Sequence, residues 1–181
     1  MLKAQADQNR QNAIVESAKA AAVAEVTAEK ARMYDKNPHQ IYLAATESKK
    51  KAILDRKAAN KAVKEAEQKV QQAEKKVHES AKNLKQSKKA YAAKDTPENL
   101  AQVKNSETAL EVLKKERENI QKDMIEAQDN LKAAEEREKV KVEAAQTALS
   151  QMKAARQQKQ QEVQALFQQY QNAQKELEAS D

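Results

Sequence analysis

The chain has 181 residues, of which 34% are charged, 39% hydrophobic and 3% aromatic, with a net charge of +6. Glycine, cysteine and tryptophan are absent and there are two prolines. Such a composition excludes strand hairpins that need tight turns, a thick globular core, disulfides and thiolate metal sites. What remains is Ala, Lys, Glu and Gln, all good helix formers, with enough Val, Leu and Ala to fill the thin seams between long helices.

A first helix is expected over about residues 3–34, centred on ESAKAAAVAEVTAEKA. Met1 is followed by the polar LKAQADQNRQNA, which does not read as a secretory leader, and no apolar run is long enough to span a membrane. The first break is YDKNPHQ. There Asn37 can cap the next helix, Pro38 suits its first turn, and Gln40 completes a capping-box spacing.

The second helix is expected over about 38–93 and stops at KDTPENL. Thr96 is a good N-cap, Pro97 a good first helical residue, and Glu98 favours the positive end of the new helix. The third helix then runs over about 97–179, roughly 125 Å at the usual helical rise. Charge is uneven: residues 35–95 carry 16 basic and 8 acidic side chains, whereas 96–181 carry 13 and 16, so the two long helices attract each other.

Heptads predict how they meet. Val63, Val70, Val77, Leu84 and Tyr91 form a large row of the second helix, and Ala59, Ala66, Ala73, Ser80 and Ser87 a small one. In the third helix Val103, Leu110, Arg117, Met124 and Leu131 form one row, and Ser106, Leu113, Ile120, Ala127 and Ala134 the other. Folding the chain in half at Asp95 sets Val77 against Leu113, Val70 against Ile120 and Ser87 against Val103, so one offset satisfies both rows. Arg117 falls opposite Ala73 and must lay its aliphatic stem along the seam. Near Ala134–Val142 the stripe rotates by one position, as at a stutter, and continues through Ala145, Met152, Leu166 and Ala173 beside Val142, Leu149, Val163, Tyr170 and Leu177.

The expected fold is therefore all-α, one elongated antiparallel coiled-coil hairpin over 1–181. At Pro38 two readings compete. In one the hairpin continues through a kink; in the other the first helix turns back and makes a local three-helix bundle. The kinked hairpin is preferred, because in the bundle the Leu149–Leu177 stripe has no partner unless the protein dimerises.

No catalytic constellation, metal site, cofactor or small-molecule substrate is read from the chain. His39 and His78 lie on different parts of it and are expected to be exposed, and no phosphate loop forms without glycine. Lysine-rich stretches of the second helix have interleaved acids and few aromatics, which disfavours nucleic-acid readout. A membrane surface is left open as a partner. The favoured class is a rod that binds a protein receptor or scaffold partner, as monomer or homodimer. Candidate contacts are the turn (Tyr91, Lys94, Asp95, Thr96, Pro97, Glu98 and Asn99) and the kink (Tyr34, Asn37, Pro38, His39 and Tyr42), where two of the four tyrosines gather.

The runs SETALEVLKKERENIQKDMIEAQDNLKAAEERE and ANKAVKEAEQKVQQAEKKVHESAKNL resemble the receptor-binding helical hairpins of colicin-type bacteriocins. They are similar as well to helical domains of Gram-positive surface proteins. The first resemblance implies an antiparallel coiled coil that spaces toxin domains and attaches to an outer-membrane receptor, and a secreted or cell-surface location in a bacterium. Colicin hairpins often elaborate the tip, whereas the turn at Asp95 is short. The alternatives are an adhesin segment and an intracellular, cytoplasmic coiled-coil scaffold with electrostatic affinity for membranes or nucleic acid.

Overall fold

The computed structural model describes residues 1–180 and is all-α. Its helices are α1 (Leu2–Arg32), α2 (Pro38–Ala93) and α3 (Pro97–Ala179). The punctuation works as its chemistry requires. Asn37 Oδ1 accepts from the Gln40 amide at 2.9 Å while Gln40 Oε1 accepts from the Asn37 amide at 3.3 Å, a reciprocal capping box. Thr96 Oγ1 accepts from the Asn99 amide at 3.2 Å, and Asn99 Nδ2 donates to the Lys94 carbonyl at 2.8 Å, tying the end of α2 to the start of α3. Among the described residues none has a positive φ, so both turns are made without the left-handed conformation that favours glycine.

Packing divides the chain into two compact units, one of Met1–Val15 with Leu54–Glu135 and one of Glu16–Ile53 with the chain from Glu136 onward. In the first unit α2 and α3 form the expected two-helix seam. Val63, Ala73, Val77, Ser80 and Ser87 are buried from one side, Val103 and Leu110 from the other. The serines serve as small seam residues: Ser87 Oγ donates to the Asn83 carbonyl at 2.9 Å and lies 3.0 Å from Ser106 Oγ, a turn beyond the Val103 that the heptad register sets against it. Arg117 is half-buried and Ala73 is buried, in keeping with their places in the two rows. The first residues of α1 also belong here. Arg10 pairs with Asp129, and Lys132 donates to Gln11.

The second unit settles the choice at Pro38. α1 turns back along α2, against the preference for a continuing hairpin. Ser48 Oγ donates to Glu29 Oε2 at 3.0 Å, a contact that exists only if residues 33–37 reverse the chain. The physical reason is local. The Lys36 amide bonds the Met33 carbonyl at 3.0 Å, closing a tight turn, and the capping box then starts α2 in a new direction. α3 completes a three-helix arrangement, in which His39 Nδ1 lies 3.3 Å from Met152 Sδ, a pairing that keeps the offset of a fold at Asp95. The core is made of small residues: Ala22 and Ala52 are 1% exposed, and Ala145, Ala148 and Met152 are buried with them. Alanine at these positions lets three backbones approach closely. The buried row of α3 runs Lys141, Ala145, Ala148, Met152, while Val142 and Leu149 of the expected row are half-buried. A third helix widens the buried face beyond a two-helix seam and rotates its centre.

Candidate functional site

Three surfaces carry side chains able to meet a partner. The first is the α2–α3 turn. Lys94, Asp95, Pro97 and Glu98 are exposed, while Tyr91, Thr96 and Asn99 are half-buried. Asn99 Nδ2 lies 3.4 Å from the Ala90 carbonyl in addition to its bond to Lys94. The Asp95 carboxylate beside Tyr91, through hydrogen bonding and its negative charge, raises the phenol above its ordinary value. The seven residues picked from the sequence are thus brought together, with Thr96 and Asn99 spent on holding the turn and Lys94, Asp95, Pro97 and Glu98 facing solvent.

The second surface is the α1–α2 turn. Asn37 is occupied by the capping box. Tyr34 is 91% exposed, Pro38 is exposed, and Tyr42 is half-buried on the first turns of α2. His39 leans on Met152. Beneath this turn lies a cavity of about 200 Å³, lined by Val26, Met33, Ile41, Ala45, Ala148 and Lys141. Its wall is mainly apolar.

Lys141 was not legible as a site residue. It is 4% exposed, and its ammonium donates to Glu25 Oε2 at 3.1 Å. Arg137 Nη2 reaches the same oxygen at 3.0 Å and its Nε lies at 3.3 Å. Burial works to raise the Glu25 carboxyl, but the hydrogen bonds from Lys141 and Arg137, and their charges, outweigh it and hold the group below its ordinary value of 4.5. The signal that could have found Lys141 is its spacing: it stands four residues before Ala145, and Ala148 and Met152 extend the same stripe. Among the described residues no buried side-chain nitrogen or oxygen lacks a partner, and no group of three metal-ligating residues occurs.

The third surface is the end of α3. From Arg156 to Ser180 every residue is exposed. Val163, Leu166, Phe167 and Tyr170 are 60–64% exposed and Leu177 is 72% exposed, although their spacing is that of a helix-pairing stripe. The sequence marked this row as needing a partner, and the structure leaves it uncovered. No protein-family profile, curated protein or solved structure matches the chain.

Proposed function

We propose that the chain is a non-enzymatic helical spacer and protein-binding arm, and that its specific form is a receptor-binding hairpin of the colicin type. The observation that carries the general reading is the exposed apolar face of α3 from Val163 to Leu177. Contiguous large apolar side chains cost free energy in water, roughly 25 cal/mol for each Å² left exposed, and persist on soluble proteins chiefly where something binds. The specific reading is supported by the α2–α3 turn, a braced tip at which Lys94, Asp95, Pro97 and Glu98 are exposed.

The test uses labelled chain on intact Gram-negative cells. Saturable binding that disappears after the cells are shaved with protease, and that weakens when Asp95–Asn99 is replaced by another helix-capping turn, supports the receptor-binding form. Binding that persists on shaved cells and on anionic liposomes, and falls steeply with salt, overturns it in favour of an electrostatic scaffold.

A further inference from the structure

The stripe on α3 is built to pair with itself. We infer that its occupant is a second copy of this chain, docked antiparallel across residues 156–180 with the two-fold axis beside Gln168. The inference rests on reading the stripe as a binding face and names its partner.

The register comes from the sequence of the exposed row. Val163, Tyr170 and Leu177 alternate with Lys159, Leu166 and Ala173 at heptad spacing. In antiparallel pairs a residue of one row faces a residue of the other. A single offset sets Val163 against Ala173 and Leu166 against Tyr170, and two-fold symmetry repeats both layers. Large faces small in the outer layers, and aromatic faces aliphatic in the central ones. Phe167, just outside the stripe, meets its own copy across the axis, where offset aromatic packing adds to the apolar contact. The same offset puts Lys159 against Leu177, with its ammonium between Glu162 of its own helix and Glu176 of the other. Arg156 falls against Ser180.

A parallel pair fails on charge. It would set Lys159 against Lys159 and Arg156 against Arg156 inside the interface, which is repulsive and poorly solvated. The ends of the segment differ in charge: Arg156 and Lys159 outweigh Glu162 near its start, and Glu176 and Glu178 outweigh Lys175 near its finish. Antiparallel docking brings unlike ends together. Covering the five large apolar side chains on both copies withdraws on the order of 1,000 Å² from water, at the lower bound for a specific interface, so association belongs at micromolar concentrations.

The experiment is sedimentation equilibrium on the full chain over a range of micromolar concentrations. The expected result is a reversible monomer–dimer equilibrium. Leu166→Asp with Tyr170→Asp should weaken it by about tenfold or more, because the register sets these like charges against each other inside the interface. These residues are exposed in the single chain, so unchanged helicity by circular dichroism is the expected control. Because the chain has no cysteine, one can be placed at will. Gln169→Cys faces its own copy in the antiparallel pair and should cross-link under mild oxidation, whereas Ala173→Cys should not. A chain that stays monomeric at high micromolar concentration overturns the inference, and cross-linking through Ala173→Cys but not Gln169→Cys overturns the antiparallel register. A monomer that still binds cells saturably removes the second copy and leaves the protein-binding arm intact; a dimer that binds no cells does the reverse for the receptor-binding form.

Discussion

Glu25 on α1 and Lys141 on α3 meet at 3.1 Å, the carboxylate at the edge of the bundle and the ammonium 4% exposed within it. The pair ties α1 to α3 in the second unit, with Arg137 donating to the same oxygen. The two partners are not equivalent. Lys141 has surrendered nearly all its water, whereas the Glu25 side chain keeps about half its exposure.

That asymmetry predicts unequal substitutions. Glu25→Ala strands a buried ammonium and should destabilise the protein by about 1–3 kcal/mol, below the range for a fully buried pair because Glu25 is partly solvated. Lys141→Met, which keeps the volume and removes the charge, should be neutral or stabilising. Urea unfolding of the two variants beside the parent checks the ordering; equal losses would contradict it.

Glu25 also sets a pH dependence. Its folded carboxyl titrates below its ordinary value of 4.5. A depressed carboxylate contributes stability that is fully present above the unfolded value and is lost as pH falls through the folded one. Urea midpoints should therefore decline between about pH 5 and pH 3, and Glu25→Gln should flatten part of that decline.

The helix starts are separable. Asn37→Ala and Thr96→Ala each remove a side-chain acceptor from a helix N-terminus and should each cost about 1 kcal/mol. Gln40→Ala should cost less, since it removes only the weaker arm of the capping box, at 3.3 Å. Thermal melts of the three variants give the ranking.

Close approach in the second unit depends on alanine. Ala22 and Ala52 are 1% exposed, with no room for added methylenes. Ala52→Leu should destabilise by about 1–3 kcal/mol through overpacking. The same change at Ala66, half-buried in the first unit, should be milder. Denaturant midpoints distinguish the two.

Helix boundaries were legible because capping is local chemistry. Asn37, Gln40, Thr96 and Pro97 announce where helices start regardless of what packs on them, and the observed ends fall within two residues of those expected. The α2–α3 seam was legible because valine and leucine recur on one face. The return of α1 was not, because ESAKAAAVAEVTAEKA carries alanine on several faces and marks no single buried side. The deciding contact, Glu29 with Ser48, joins two polar residues whose types suit a solvated face equally well. Lys141 is illegible for the same reason: a lysine normally reads as surface, and its carboxylate partner stands on another helix. The exposed stripe of α3 was legible as a pattern, but periodicity carries no information on whether the matching face lies in the same molecule.

The end of α3 also has a consequence for timescale. Up to Met152 the helix is held by neighbouring helices; beyond Arg156 every described residue of the single chain is exposed, and only bonds within the helix hold it. Helical segments without tertiary contacts draw little stability from propensity alone and unwind locally without any wider unfolding. One continuous helix therefore carries two clocks. Amide protons near Ala145 and Ala148 exchange with solvent only through opening of the packed bundle, while in the monomer those near Leu166 and Tyr170 exchange through local unwinding, faster by orders of magnitude.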